Sequence, residues 1–138
     1  MKTYFLDTNI LLDFLANRQP FAKYALKIFD HARRDLWDIW TSSNSVTTVY
    51  YILERELGPK QAKMKIGQLL TYLHVQPITQ QDLEHALQAP FKDYEDGVQH
   101  ACALSHGGID GIITRNQKDF RNSQVPIFGP EELFEDGD

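Results

Sequence analysis

The sequence contains one cysteine among its 138 residues, Cys102. Without a second thiol the chain cannot form an internal disulfide, a zinc knuckle of paired cysteines or a redox pair. Long apolar runs are also missing at the start, where the first apolar stretch is broken by Asp7 and Asn9. That stretch is neither a signal peptide nor long enough to span a bilayer. We therefore expect a cytoplasmic protein.

The sequence has fewer basic than acidic residues, 14 Lys and Arg against 19 Asp and Glu, which gives a net charge of -5. The surface as a whole should repel a polyphosphate, which argues against a protein that coats DNA. Any binding of nucleic acid must be local, through a basic patch or through divalent cations held by carboxylates. The best candidates for phosphate contacts are Arg33, Arg34, Arg115 and Lys118.

Several catalytic motifs are absent. The five histidines show neither H-x-x-x-H nor H-E-x-x-H spacing, and there is no Walker loop, G-x-G-x-x-G or nucleophile elbow. A zinc site or a histidine base therefore has little support. Trp37, Trp40 and the pair Tyr50-Tyr51 could stack on bases, but aromatic residues in an amphipathic pattern are more often core or interface residues.

Apolar residues make up 42% of the chain, and its length is near the commonest size of one domain. We expect a single domain over residues 1–138. Short β-prone runs alternate with helical patterns, which predicts an α/β fold of three layers, with a mainly parallel central sheet and helices on both faces. The predicted strands are Thr3–Leu6, Asp38–Thr41, Val75–Ile78, Gly111–Thr114 and Val125–Phe128.

Punctuating residues predict where the helices begin and end. Pro20 is expected to open the second helix, and Gly58-Pro59 to end the third. Thr79 and Asp82 have the spacing of a capping box. The acidic carboxyl-terminal tail, after the last strand, is expected to be frayed.

Carboxylates follow the predicted strands at one edge of the sheet. Asp7 comes directly after the first strand, and Asp119 lies in the loop after Gly111–Thr114. Asp93 and Asp96 open a later helix, which could direct Asp96 toward Asp7. Crowded carboxylates repel one another unless they share protons or bind a cation, and a site of oxygen ligands without thiols or paired histidines suits Mg²⁺ or Mn²⁺. Such ions support phosphodiester cleavage, so the pattern favours a nuclease.

Each polar residue also has a purely structural interpretation, because Asp is common in helix caps and turns. Asp93 fits a helix cap best, and Asp119 could be a turn residue. Asn9 and Ser43 are candidate caps that could also hold Asp7 or a water molecule. Asn116 could be either a ligand or a turn former.

Three segments together resemble the PIN domains, especially the small bacterial ones that act as ribonucleases in toxin–antitoxin pairs. The segments are Phe5–Asp13, Asp93–Gln99 and Thr114–Phe120, and the resemblance covers nearly the whole chain. It implies catalytic carboxylates that bind Mg²⁺ or Mn²⁺ for RNA cleavage. Asp7 and Asp96 match two of the family's acidic positions, and Asp119 completes the expected set.

Two acidic positions of that family carry other residues in this chain. Thr48 stands where the second acid is expected, and Glu54, almost two turns later, is a poor substitute. Asn116 stands where the fourth acid is often found, so Asp119 or Asn116 must supply that contact. Thr48 and Ser43 would then position water or phosphate, with Arg115 nearby.

The resemblance implies three kinds of partner: an RNA substrate, an antitoxin protein and a second copy of the chain. The homodimer would form through Pro20–Arg33 and Ser45–Glu56. An alternative, supported by Thr48, is a PIN-like RNA-binding or scaffold module that no longer cuts. A phosphoacceptor domain built on Asp7 would need an adjacent acidic pair, which Asp7-Thr8-Asn9 does not provide.

Overall fold

The structure is a computed structural model that describes residues 1–134. The strands are β1 (Lys2–Leu6), β2 (Trp37–Ser42), β3 (His74–Gln76), β4 (Gly111–Ile113) and β5 (Ile127–Phe128). The α-helices are α1 (Thr8–Leu15), α2 (Ala22–Arg33), α3 (Ser43–Leu57), α4 (Pro59–Tyr72), α5 (Gln80–Gln88) and α6 (Tyr94–His106). Short 3-10 helices span Gln117–Phe120 and Pro130–Phe134.

The strands form one five-stranded sheet in the order β3-β2-β1-β4-β5, and each pairing is parallel. Phe5 in the central strand β1 lies opposite Trp40 of β2 and Ile112 of β4. The chain leaves β1 toward β2 on one side and reaches β4 later on the other. The strand order therefore reverses between β1 and β4, which is where ligands bind in open α/β sheets.

Side chains of β1 alternate between two apolar cores. Tyr4 and Leu6 belong to the larger core, which the helices α1 to α4 complete, and Phe5 belongs to a smaller core with Cys102 of α6 and Ile112 of β4. Helix α5 packs against α6 on this second face. Helices thus cover both faces of the sheet, and the predicted three-layer α/β/α architecture is confirmed.

The predicted helix signals at Gly58-Pro59 and at Thr79 are confirmed. Gly58, with φ of 87°, ends α3 and precedes Pro59, the first residue of α4. The Thr79 side chain accepts from the Asp82 amide, and the Asp82 carboxylate accepts from the Thr79 amide at 3.0 Å. The prediction for Pro20 was wrong, because a turn after Arg18 delays the start of α2 to Ala22.

Other predicted boundaries also differ from the structure, by one residue in β1, β2 and β4 and by more elsewhere. Strand β3 ends at Gln76, before Pro77, which has no amide hydrogen to donate to a neighbouring strand. Strand β5 is limited to Ile127–Phe128. The tail expected to be frayed is folded through Phe134, which is buried in the larger core, and residues 135–138 lie outside the described part. Across residues 1–134, no helix has both the length and the apolar character needed to cross a membrane.

Candidate active site

Asp7 stands at the point where the strand order reverses, between the end of β1 and the start of α1. Its carboxylate caps α1 by accepting from the Thr8 amide at 2.9 Å. The same carboxylate accepts from Thr114 Oγ1 at 2.7 Å, from Asn9 Nδ2 at 3.3 Å and from Gln99 Nε2 at 3.4 Å. These four donors come from three separate parts of the chain. They fix the direction of a carboxylate that is only 7% exposed.

Gln99 connects Asp7 to a buried network of hydroxyl groups. Its Nε2 also donates to Ser45 Oγ at 2.9 Å, and its Oε1 accepts from Ser42 Oγ. Ser45 Oγ in turn shares a hydrogen bond of 2.8 Å with Thr8 Oγ1. Gln99 lies three residues after Asp96 on α6, so both residues occupy one face of that helix. Its position one turn after an expected catalytic acid is the signal in the sequence that could have identified Gln99 as a residue of the site.

Asp96 and Asp119 line a cavity of about 560 Å³ beside this network, together with Lys92, Asp93 and Tyr94. Burial, together with the charges of Asp7, Asp93, Asp119 and Glu95, raises the pKa of Asp96 from 3.8 to about 7. Two of the acids expected at the site, Asp7 and Asp119, are therefore close enough to Asp96 to disfavour its ionisation. Asp93 caps α6, as expected, by accepting from the Glu95 amide at 2.8 Å.

Metal binding at this edge would rely on more than protein ligands. Within residues 1–134, no three His, Cys, Asp or Glu side chains are grouped closely enough to hold a metal ion by themselves. Mg²⁺ commonly binds through one or two carboxylates and completes its shell with waters and substrate phosphates. The all-oxygen donor set and the mutual repulsion at Asp96 fit an ion of that kind, since a cation would relieve the repulsion.

Ser43, Thr48 and Asn116 lie around the site in different settings. Ser43 Oγ accepts from the Ile78 amide at 3.1 Å, so it holds the chain after β3 and does not hold Asp7. Thr48 is half-buried on α3, one turn after Ser45 of the buried network. Asn116 is exposed and precedes the 3-10 helix that carries Asp119.

Arg115 braces the site from outside. Its guanidinium donates to Asp13 through Nε at 2.7 Å and Nη2 at 3.1 Å, and it lies 3.8 Å from the centre of the Phe21 ring. Its amide donates to Asn9 Oδ1 at 3.2 Å, and Asn9 in turn donates to Asp7. Arg115 thus supports Asp7 through Asn9. Its guanidinium is paired with Asp13, and the phosphate contact expected of it stays a prediction.

The other basic candidates also differ in availability. Arg33 and Arg34 both pair with Asp30, at 2.7 Å and 3.6 Å, on the last turns of α2. Lys118 is exposed next to Asp119. Lys92, which the sequence analysis did not single out, is exposed on the wall of the acidic cavity. The lysines are therefore better placed than the arginines to meet a phosphate at this edge.

Three of the aromatic residues considered for base stacking, Trp37, Trp40 and Tyr50, are used within the fold, and Tyr51 is 63% exposed. Trp37 packs edge-on against Tyr4 at 4.8 Å between ring centres, and Trp40 lies 4.9 Å from His74. Tyr50 and Tyr51 are in edge contact on α3, where Tyr50 also donates to Glu54 at 2.8 Å. The sequence-based preference for core or interface roles is confirmed for both tryptophans.

Comparison with known proteins agrees with this architecture. The chain is 29% identical to a protein named Ribonuclease VapC1 from Aquifex aeolicus, over 95% of this chain and 92% of the relative. A toxin–antitoxin complex from Klebsiella pneumoniae superposes with a TM-score of 0.67 at 23% identity, covering 92% of this chain and 97% of the other.

A second solved structure, Mycobacterium tuberculosis VapC20, is described as a toxin that cleaves the sarcin–ricin loop. It superposes with a TM-score of 0.62 at 16% identity and covers 79% of this chain and 86% of its own. At such identities the structures show a shared fold. A sequence model of the PIN domain matches residues 3–118, which is most of the chain. The chain therefore belongs to the PIN domain family.

Proposed function

We propose that this protein is a metal-dependent endoribonuclease that cleaves RNA phosphodiester bonds as the toxin of a toxin–antitoxin pair. The observation that carries the proposal is the electrostatic effect of Asp7 and Asp119 on Asp96, in a chain of the PIN domain family whose strand order reverses beside Asp7. The relative named a ribonuclease, which aligns over 95% of this chain, supports the same activity.

Asp7 and Asp96 would hold a Mg²⁺ or Mn²⁺ ion, with Asp119 or Asn116 completing its shell. When bound, such an ion polarises the phosphodiester and lowers the pKa of the attacking water. The chain itself supplies the positioning. Gln99 and Thr114 fix the direction of the Asp7 carboxylate, so the oxygen that it would offer to an ion keeps its position when substrate arrives.

The residues around the acids have separate proposed tasks. Lys92 and Lys118 are exposed cations near Asp96 and Asp119, where they would meet the phosphates of RNA and offset the repulsion expected from a net charge of -5. Thr48 and Ser43 carry hydroxyl groups that would position water or a phosphate oxygen. In this arrangement affinity for RNA depends on the local cations and on the bound metal.

Cleavage of a mixed pool of structured RNAs by purified protein tests this proposal. We expect cutting with Mg²⁺ or Mn²⁺, no cutting with EDTA, and loss of cutting in the Asp96→Asn variant. Glu84→Gln is a matched control, because Glu84 is an exposed acid on α5 that does not line the acidic cavity. Equal activity in wild type and Asp96→Asn would contradict the assigned site.

A second candidate function rests on Thr48, which stands where an acid is expected in the family. With one formal charge fewer, the site would hold a cation less tightly, and the chain would serve as an RNA-binding or scaffold module without turnover. Expression of wild type and Asp7→Asn in bacteria separates the two. Growth arrest by wild type alone supports the toxin, and equal growth of both supports the scaffold.

We also propose that residues 1–138 act as one domain in the cytoplasm, where the RNA substrate is, with an antitoxin protein and a second copy of the chain as partners. Two exposed apolar side chains support the dimer, Leu26 on α2 and Tyr51 on α3, both within the segments expected to pair. Light scattering after size exclusion checks this, and Leu26→Asp should shift a dimer toward monomer.

A further inference from the structure

Tyr94, the first residue of α6, lies on the boundary between two cavities. It lines the acidic cavity with Asp96 and Asp119, and it also lines a second cavity of about 490 Å³. Tyr94 is 45% exposed, so the protein covers its side chain only in part and leaves it within reach of a ligand in either cavity.

The ring of Tyr94 is held in place without being buried. Its hydroxyl donates to the Leu83 carbonyl of α5 at 3.0 Å. A ring anchored at its far end loses little conformational freedom when a ligand stacks on it. This geometry therefore provides a preoriented stacking surface at the entrance to the acidic cavity.

The second cavity has the chemistry of a nucleobase site. Its apolar wall is formed by Ile78, Leu83 and Val98. Its polar side carries Ser43, Asn44 and Thr47 of α3 and the carboxylate of Glu95 on α6. Flat heteroaromatic rings need apolar walls for their faces and hydrogen-bonding groups for their edges. The Asn44 carboxamide offers both a donor and an acceptor to such an edge.

On the other side of Tyr94, a basic side chain is placed to contact the phosphate of the same nucleotide. Lys92 is exposed on the wall of the acidic cavity, within the same loop and helix start as Tyr94. A phosphate between Lys92 and a metal-bearing Asp96 would place the adjoining base beside the Tyr94 ring. Stacking on an aromatic side chain combined with a nearby cation is how proteins hold single-stranded nucleic acid.

We infer that the second cavity binds an unpaired nucleobase of the RNA, stacked on Tyr94 and contacted at its edge by Asn44, next to the phosphate that is cut. This inference rests on the proposed ribonuclease function and adds a requirement to it. The substrate must present an unstacked nucleotide beside the cleavage position. A fully paired RNA helix, whose bases are unavailable, would bind only through its phosphates.

The test uses single-stranded RNA oligonucleotides that carry the fluorescent base 2-aminopurine at successive positions, mixed with protein and Mn²⁺ and read immediately after mixing. We expect quenching by stacking at one position with wild type and with Tyr94→Phe, which retains the ring. In Tyr94→Ala the quenching should disappear and RNA affinity should fall by about tenfold. An oligonucleotide abasic at that position should bind wild type and Tyr94→Ala equally.

Cleavage of the same oligonucleotides separates this inference from the proposed function. If wild type cuts RNA and Tyr94→Ala neither loses quenching nor raises KM, the base site is overturned and the nuclease stands. If quenching depends on Tyr94 but nothing is cut, the base site stands and the nuclease does not. Thermal unfolding of the two Tyr94 variants confirms that both remain folded, which is expected for an exposed side chain.

Discussion

Crowding of carboxylates around Asp96 should make the metal-free protein less stable as pH rises. The pKa of Asp96 in the folded protein is raised from its ordinary value of 3.8 to about 7. The folded state therefore binds a proton more tightly than the unfolded chain does. The contribution of the protonated Asp96 side chain to folding stability is therefore complete below about pH 4. It is lost as the pH rises through about pH 7.

The size of this effect can be bounded from the structure. A carboxyl whose pKa rises from 3.8 to about 7 carries a penalty of at most about 4 kcal/mol once it is ionised. Asp96 is only partly buried, and its position in the first turn of α6 favours negative charge, so screening and the helix dipole reduce the penalty. We expect about 1 to 2 kcal/mol at about pH 8.

Urea unfolding of wild type and Asp96→Asn in EDTA measures this effect. Asp96→Asn should be the more stable protein at about pH 8, and its advantage should grow by about 1 kcal/mol between about pH 5 and about pH 8. Added Mn²⁺ should stabilise wild type more than the variant, because the ion offsets the same repulsion. A constant difference between the two proteins across this pH range would refute the argument for crowded acids, and Glu84→Gln should show no such trend.

Four further predictions test the structure around the site. Thr48→Glu adds a carboxylate at the family's acidic position, so it should tighten Mn²⁺ binding by about tenfold in calorimetry and raise the rate of cleavage. Unchanged Mn²⁺ binding would place Thr48 outside the metal shell. Arg115→Met should destabilise the fold by about 3 kcal/mol, because it leaves Asp13, 1% exposed, without its partner, and adding Asp13→Asn should recover part of the loss in urea unfolding. Gln99→Leu should lower the free energy of unfolding by about 2 kcal/mol and weaken Mn²⁺ binding, because buried hydroxyl groups lose their partner and Asp7 loses a donor. Normal Mn²⁺ affinity would show that Asp7 does not need the hydrogen bond from Gln99. Cys102, whose pKa burial raises to about 12, should not react with a thiol reagent at about pH 8 until the protein is unfolded, and rapid labelling of the native protein would contradict its burial.

The sequence was sufficient to predict the layers of the fold and to nominate acids for the candidate site, because both follow from local signals. Alternating strand and helix patterns give a parallel sheet, and in such a sheet the residue after each strand lies at one edge. Asp7 and Asp119 could be predicted on that basis. The capping box at Thr79 and Asp82 was equally local, since its two partners are three residues apart.

The rest depended on contacts that no local pattern contains. Asp13 and Arg115 are 102 residues apart, so the ion pair that holds the Arg115 guanidinium could not be predicted from spacing. Gln99 looks like an ordinary polar residue of α6 until β1 and α3 are packed against it. In the sequence Tyr94 is one residue of a helix start, and the stacking role inferred for it depends on the two cavities that it lines.

The order of strands in the sheet has a consequence for the protein while it is being made. Strand β1 is central, and Asp7 receives its shortest hydrogen bond from Thr114, in the last quarter of the chain. A nascent chain that has not yet reached Gly111 lacks β4, Thr114 and the Arg115 brace. The catalytic edge therefore cannot assemble until synthesis is nearly finished. For an enzyme proposed to attack RNA, the ribosome that makes it would carry an incomplete site for most of translation.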